Sequence, residues 1–359
     1  FMEYIKENVT DYLPERFEEA EISIQQVVKN NDVVLDGLSI RNPDSNISPN
    51  IYLNPLYEQY QKGRNLDELV SGIADTYIEN MEPIENRTFQ VQIEDIKNYE
   101  VVKGEIFPRL VNLEKNTTRL QNVPYMQRED LAITYHVKVS GNRDSIGSLM
   151  ITNELMEVYG VTKEKLHTQA MENMERLSPP VFLPLGEMIV DVMTEDFGRN
   201  EGVSQEEAKE YVKDMIPTGG PNVYCLTNQY KMNGAVGIMS ESIQQMVADR
   251  VGGDYYVLPS SVHEVLIVPQ SAGMDPEELT DMVNTVNEGC VMQDEILSDH
   301  VYQYDAKEHK LSLCAPAKEM KQEQTMEQNR QPAFEEKSID ATKQPEQSHE
   351  PIKHSGRSH

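Results

Sequence analysis

Short apolar runs of two different periods follow one another along this chain, and their order limits the folds that it can adopt. Residues 130–140 (DLAITYHVKVS) alternate with the two-residue period of a strand, whereas apolar side chains in residues 66–77 recur at the spacing of a helix. Such strand-like and helix-like runs are interspersed without a regular β-α-β rhythm. This order favours an α+β fold with mostly antiparallel sheets and helices packed against them.

Turn and capping signals predict two elements with a clear physical cause. Residues 21–28 and 33–40 should form a hairpin around the Asn-rich turn at 29–32. Asp275 should cap a helix, because proline follows it at the first helical position and acids occupy the first turn.

Apolar spacing alone predicts two further elements. Residues 94–113 should form a helix that is interrupted at Pro108. The small apolar residues 234–239 (GAVGIM) should form a strand.

Composition divides the chain into four segments. Residues 1–199 should form an N-terminal α+β lobe, residues 200–222 a polar insertion or linker, and residues 223–317 a C-terminal α+β lobe. From residue 318 to 359, Gln, Glu, Lys, Ser, Pro and His dominate. This tail cannot bury enough apolar surface to offset an ordering entropy of ~1–2 kcal/mol per residue, so we expect it to be disordered.

The charge balance restricts the partners of the chain. It carries 61 Asp and Glu against 32 Lys and Arg, a net charge of −29, and the tail with 7 basic and 8 acidic residues leaves −28 on the body. This excess argues against direct binding of nucleic acid or anionic membranes, which requires clustered Lys and Arg. The sequence has no apolar run of the roughly 18 residues that a membrane-spanning helix needs. Three widely spaced cysteines suggest a reducing compartment. We therefore expect a cytoplasmic protein.

Residues 258–264 (LPSSVHE), hereafter the LPSSVHE segment, hold the densest cluster of reactive side chains. Ser261, His263 and Glu264 could serve a hydrolase in which His263 is the base. Adjacent strand residues point to opposite faces, however, so His263 and Glu264 cannot easily share one site. The structural alternative is a turn into a core strand, whose serines and imidazole bond to nearby backbone or hydroxyl groups.

Asp130 is a further candidate for the same hydrolase site. On a strand Asp130 shares a face with His136, but six residues at ~3.3 Å each place them ~20 Å apart, too far for one metal ion or proton relay. The HExxH, CxxC, GxSxG and Rossmann patterns do not occur in the sequence. We therefore predict neither a metal site nor a cofactor.

Several short motifs in a fixed order resemble a bacterial family of unknown function. They are KNN at residues 29–31, IYLN followed by a tyrosine at 51–57, LTN at 226–228 and LPSSVHE at 258–264. The resemblance covers roughly residues 2–314. It implies an origin in Gram-positive gut bacteria and their integrative mobile elements, and it carries no established catalytic residues over to this chain.

Three functional hypotheses follow. The first is a non-enzymatic accessory or interaction protein of a mobile element, whose partner is another protein. The second is the hydrolase that uses Ser261, His263 and Glu264, with Asp130 as an additional carboxylate. The third is an acidic mimic of nucleic acid. Because the acids are scattered over helix starts and solvated faces, their field is diffuse and is screened over ~8 Å at physiological ionic strength, so we expect no tight competition for DNA-binding enzymes.

Overall fold

The computed structural model describes residues 1–43, 50–85, 95–141, 146–213, 215 and 222–314. The α-helices in these ranges are α1 (Met2–Asn8), α2 (Asn54–Gln61), α3 (Leu66–Glu85), α4 (Tyr99–Val102), α5 (Thr117–Leu120), α6 (Asn153–Tyr159), α7 (Lys163–Leu177), α8 (Leu185–Glu201), α9 (Gln205–Lys213), α10 (Glu241–Val251) and α11 (Pro276–Gly289). The strands are β1 (Glu21–Val28), β2 (Val34–Arg41), β3 (Asn50–Tyr52), β4 (Ile106–Asn112), β5 (Tyr125–Arg128), β6 (Leu131–Gly141), β7 (Ile146–Met150), β8 (Pro180–Pro184), β9 (Tyr224–Asn228), β10 (Tyr255–Leu258), β11 (Val265–Pro269), β12 (Tyr302–Asp305) and β13 (Lys310–Leu313).

Three antiparallel sheets organise these elements, which confirms the predicted α+β class. The first sheet has the order β1-β2-β3, and the second joins β4, β5 and β7 to the long strand β6. The third sheet has six strands in the order β13-β12-β10-β11-β9-β8. Every strand pair in the three sheets is antiparallel.

The predicted N-terminal hairpin is present, and its turn docks on distant parts of the chain. Asn31 adopts a positive φ of 59°, which asparagine tolerates better than most residues. The Asn31 side chain donates to the carbonyl of Ile296 (2.7 Å), and the Asn30 side chain donates to the carbonyl of Asp294 (2.9 Å). The Asn31 N–H also donates to Oδ1 of Asn116 (2.9 Å). The first sheet is thereby attached to the segment that precedes β12.

Four clusters of buried apolar residues occur in the described part of the chain, and the two largest hold most of the core. The larger is formed by apolar residues of the second and third sheets together with α7 and α10, and it includes Tyr135, Leu166, Val247, Tyr255 and Ile267. The smaller lies between the first sheet, α1 and α3, and includes Ile5, Leu38, Ile40, Ile73 and Tyr77. The helix α11 begins as predicted, with the Asp275 carboxylate accepting the N–H of Glu277 (2.8 Å), and it packs Leu279 and Val283 on the opposite face of the third sheet.

The predicted helix over residues 94–113 is wrong in the part that the structure describes. Residues 99–105 form only α4 and a 3₁₀ turn, and residues 106–112 form β4. Because β4 is buried along almost its whole length, its apolar residues form a continuous run without the alternation that marks a half-buried strand. Pro108 is accommodated because β4 lies at an edge of its sheet, where a missing N–H leaves no gap in the ladder.

The predicted strand over residues 234–239 is also wrong, since Gly234–Met239 is a 3₁₀ helix. Its first two N–H groups donate to the carbonyls of His263 (2.9 Å) and Val262 (3.3 Å). This close contact with the LPSSVHE segment requires the absence of a side chain at position 234. A Cβ there would lie 2.5 Å from the Thr227 hydroxyl and 2.7 Å from the carbonyl oxygen of His263.

The described residues of the stretch at 200–222 include the end of α8 and the helix α9. The strands on its two sides, β8 and β9, pair along five residues from Pro180↔Asn228 to Pro184↔Tyr224. Residues 1–314 form one compact unit. The division into an N-terminal lobe, residues 1–199, and a C-terminal lobe, residues 223–317, stays a prediction. The predicted disordered tail, residues 318–359, lies outside the described residues.

A membrane-spanning helix is not among the described elements, because none of their helices is both long and apolar enough to cross a bilayer.

Candidate functional site

The LPSSVHE segment is a short extended strip that connects β10 to β11. Its backbone pairs with residues 295–298, since the N–H of Val262 donates to Glu295 (2.9 Å) and the N–H of Ser298 donates to Pro259 (3.0 Å). An isolated bridge joins Ser261 to Ile296. The segment bends at Val262 and His263, and His263 and Glu264 line two different cavities.

His263 faces a cavity beside β4 and β6. Its Nδ1 accepts the backbone N–H of Asn233 (3.2 Å), and its Nε2 lies 3.2 Å from a carboxylate oxygen of Glu295. Nδ1 therefore acts as the acceptor and Nε2 as the donor. The expected hydrogen bond between the imidazole and a backbone group is present.

Glu264 faces the other way, into a groove between α8 and α11. Burial raises the pKa of the Glu264 carboxyl, although the nearby His263 and the Ser261 hydroxyl act in the opposite direction. Ser261 is only 6% exposed, and its hydroxyl accepts the backbone N–H of His263 (2.9 Å). Serine, imidazole and carboxylate thus do not converge in the order that a nucleophile–base–acid relay requires.

Asp130 belongs to a different cluster. Its carboxylate accepts hydrogen bonds from Ser298 Oγ (2.7 Å) and from the Tyr302 hydroxyl, and it lies 3.1 Å from Nδ1 of His300. Ser298 Oγ also approaches Nδ1 of His300 (3.5 Å), so the serine and the aspartate share one ring nitrogen. In a catalytic triad the serine and the aspartate bind opposite nitrogens of the imidazole ring. Ser298 is in addition fully buried. The cluster is a polar connection between β6 and β12.

The groove beside Glu264 is lined mainly by apolar side chains and by a few polar ones. It has a volume of about 410 Å³. We call it the apolar groove and define it by the residues Leu185, Met188, Val192, Leu258, Leu266, Met282, Val283, Val286 and Val291, with Thr227, Lys231, Ser260 and Glu264 as its polar members.

The apolar groove was not predicted from the sequence, because an apolar stripe on a helix does not by itself show how much of it is buried. Val283 is indeed buried, but Met282 is 49% exposed and Val286 is 39% exposed on the same helix. The apolar stripe of α11 is therefore wider than the contact with the third sheet needs. Leu279, Met282, Val283 and Val286, at i, i+3, i+4 and i+7, were the available signal.

Comparison with known proteins agrees with the motif-based expectation. The family model of DUF5688, a family of unknown function, matches residues 1–306. The chain belongs to this family. No curated protein and no solved structure matches it. The match includes both the LPSSVHE segment and the apolar groove, so the two features lie within the DUF5688 region.

The thiol and metal chemistry of this DUF5688 protein is limited in the part that the structure describes. Burial, followed by the proximity of Glu264, raises the pKa of the Cys225 thiol to about 12, so this cysteine stays protonated at neutral pH. No three His, Cys, Asp or Glu side chains of the described residues lie close enough together to hold a metal ion.

Proposed function

We propose that this DUF5688 protein is a non-enzymatic accessory protein that binds a basic, amphipathic segment of a partner protein in the apolar groove. The observation that carries the proposal is the exposed apolar lining of α8 and α11. The motif resemblance further supports a setting in the cytoplasm of a bacterium that carries a mobile element, and three free cysteines agree with a reducing compartment.

The two helices that border the apolar groove expose apolar side chains that a stable surface normally covers. Val192 on α8 is 40% exposed, and Met282 and Val286 on α11 are 49% and 39% exposed. Contiguous exposed apolar surface of this kind is typical of interaction sites, and methionine adapts to partners of different shape.

The charge around the apolar groove favours a basic occupant. The sequences of α8 and α11 contain nine Asp and Glu against a single arginine. Lys231, a cation inside the groove, is paired with Glu195 (3.0 Å). Two acid-rich helices beside an apolar lining match a segment that has Lys and Arg on its polar face and large apolar anchors on the other.

The volume of the apolar groove limits how much of the partner segment can enter it. A cavity of about 410 Å³ accepts the anchor side chains of a docked helix, whereas the helix itself lies across the rim. Glu264 at the base of the groove can accept a hydrogen bond or an ion pair from one basic anchor.

Site-specific photo-crosslinking tests this proposal in the native host. A benzophenone amino acid replaces Val286, which lines the groove, or Thr285, which is exposed on the neighbouring face of α11. We expect position 286, and not position 285, to crosslink to a basic amphipathic segment of another protein, identified by peptide mass spectrometry. A crosslink to residues 315–359 of the same chain, to a second copy, or to no protein would reject the proposal.

Charge substitutions then measure the interaction with the identified segment. Met282→Glu and Val286→Glu place a carboxylate at exposed positions of the groove, so folding should be preserved while binding weakens at least tenfold. Thr285→Glu adds the same charge outside the groove and should leave the affinity within a factor of two. Equal losses in all three variants would contradict a contact at the groove, and equally tighter binding in all three would mean that net charge alone drives the interaction.

A further inference from the structure

A second cavity, on the His263 side of the LPSSVHE segment, contains an arginine without a counter-ion. The cavity has a volume of about 250 Å³, and Arg109, Arg119, His136, His263 and Glu295 are among its lining residues. We call it the arginine pocket. It is separate from the apolar groove, and the inference drawn from it does not depend on the proposed function.

The strand register explains how Arg109 reaches this pocket. On the antiparallel pair β4 and β6, Arg109 lies opposite Thr134 and Phe107 lies opposite His136, so the four side chains share one face of the sheet. The guanidinium of Arg109 lies 5.5 Å from the centre of the Phe107 ring, and its Nη2 donates to Ser148 Oγ (2.8 Å).

One further donor of Arg109 is not satisfied. Its Nε is buried and makes no hydrogen bond in the part of the chain that the structure describes. Within the same residues, no carboxylate lies within 4.0 Å of its guanidinium. Burial, followed by the proximity of Arg119, lowers the pKa of Arg109 to about 10, which still leaves the group protonated at pH 7. A buried cation without a partner is unfavourable, and proteins rarely retain one unless a partner arrives.

The surroundings of Arg109 add positive charge. Arg119 also lines the pocket, with a pKa that burial lowers and Asp32 raises. The Asp32 carboxylate is occupied by the N–H groups of Thr118 (2.8 Å) and Arg119 (3.2 Å). His136 is buried, and desolvation together with the two arginines lowers its pKa, so it is neutral at pH 7.

The carboxylates of the pocket lie on the His263 side. Glu295 is paired with His263 Nε2, and Asp294 is the other acid of the lining. The chain as a whole is acidic, with 61 Asp and Glu against 32 Lys and Arg. Two arginines nevertheless line this cavity, whereas Glu295 is paired with His263 and Asp294 lies elsewhere in the lining.

We propose that the arginine pocket binds a small molecule through an oxyanion, a phosphate or a carboxylate, that pairs with the guanidinium groups of Arg109 and Arg119. A guanidinium presents parallel N–H donors that match the oxygens of both groups, and both arginines line the cavity. A cavity of about 250 Å³ is large enough for a compact metabolite.

Thermal unfolding with defined anions tests the proposal. The full-length chain is titrated with inorganic phosphate, phenyl phosphate or propionate, and with chloride at matched ionic strength as a control. We expect at least one of the three oxyanions to raise the Tm with a saturable concentration dependence, whereas chloride does not. Preference for phosphate or for propionate identifies the class, and tighter binding of phenyl phosphate than of inorganic phosphate identifies an organic phosphate. If none of the oxyanions acts beyond the chloride control, the proposal is rejected.

Substitutions at the arginines provide a second, independent measurement. Arg109→Met removes the unpaired charge and keeps an unbranched side chain, so the ligand-free variant should melt at or above the wild-type temperature and lose the anion response. Arg109→Lys keeps the charge without the parallel donors and should weaken binding at least tenfold, as should Arg119→Met. Arg64→Met removes the same charge from an exposed position and should retain the wild-type response. A clear drop in the Tm of ligand-free Arg109→Met would mean that the arginine is purely structural and would overturn the proposal. An equal loss of the anion-dependent rise in Tm in Arg64→Met would overturn it as well.

Discussion

At the scale of single residues, the alternation between His263 and Glu264 decides which cavity each group faces. The imidazole is fixed between Asn233 and Glu295, whereas the carboxyl points into the apolar groove. Two adjacent titratable groups therefore experience opposite environments, one with hydrogen-bonding partners and one with apolar neighbours. Each environment has a measurable consequence.

Glu264→Gln should stabilise the protein at neutral pH but not at acidic pH. Burial raises the pKa of Glu264 in the folded state, so the fold favours the neutral carboxyl. The protein therefore has its full stability below the ordinary pKa of 4.5 and loses part of it as the pH rises through the folded-state pKa. The variant does not undergo this loss. Its Tm should match the wild type at pH 4 and exceed it at pH 7. Glu172→Gln, at an exposed helix position, should follow the wild-type curve, and a Glu264→Gln curve parallel to the wild type would contradict the argument.

His263→Ala should lower the free energy of unfolding by about 1–3 kcal/mol, because the Asn233 N–H loses its acceptor and Glu295 loses its partner. His263→Asn should recover part of the loss, since its side-chain oxygen can accept the same N–H. Urea unfolding at pH 7 measures both variants. Unchanged stability combined with the loss of an enzymatic activity or of a bound metal would favour the hydrolase hypothesis instead.

At the scale of elements, sequence signals with a local cause were reliable and those without one were not. The β1–β2 turn and the Asp275 cap are determined by the chemistry of Asn, Asp and Pro, and both were predicted from the sequence. The element at 234–239 depends instead on contact with residues 227 and 263, which no local pattern encodes. The separation of His263 from Glu264 was predictable, because it concerns two neighbours in the chain. The convergence of Arg109, Arg119 and His136 was not predictable, because they belong to three different elements.

Gly234→Ala should destabilise the protein by about 1–3 kcal/mol, because a Cβ at that position would lie 2.7 Å from two backbone atoms that have little room to move. Gly72→Ala is the matched control, since no atom lies within 4 Å of a Cβ there and alanine is favoured in the middle of α3. That substitution should stabilise by about 0.5–1 kcal/mol. Chemical denaturation measures both, and changes of equal sign would contradict the argument.

At the scale of the whole molecule, the third sheet joins regions on both sides of residues 200–222. β8 precedes this stretch and β9 follows it, and the larger core includes residues from both sides. Unfolding of the region before residue 200 therefore removes strand pairing and core contacts from the region after residue 222. The polar composition of residues 200–222, in contrast, would suit a boundary between two independently stable lobes.

Native-state hydrogen exchange distinguishes these two situations. Because β8 and β9 share five residue pairs, we expect amides in β6, β9 and β10 to exchange with one common free energy of opening under low denaturant. Peptide-level mass spectrometry resolves the three strands. If β6 opens at a denaturant concentration that leaves β9 and β10 protected, the two-lobe division is correct as a description of folding.

The docking of the Asn30–Asp32 turn on residues 293–296 has a consequence for synthesis on the ribosome. The side chain of Asn31 donates to a carbonyl that is 265 positions further along the chain. At ~5–20 residues per second, the hairpin is complete on the order of tens of seconds before its docking surface has been translated. During that interval the side chains of Asn30 and Asn31 cannot make their hydrogen bonds to residues 293–296. The final attachment of the first sheet is thus a late step in biogenesis, set by translation time rather than by the intrinsic speed of hairpin formation.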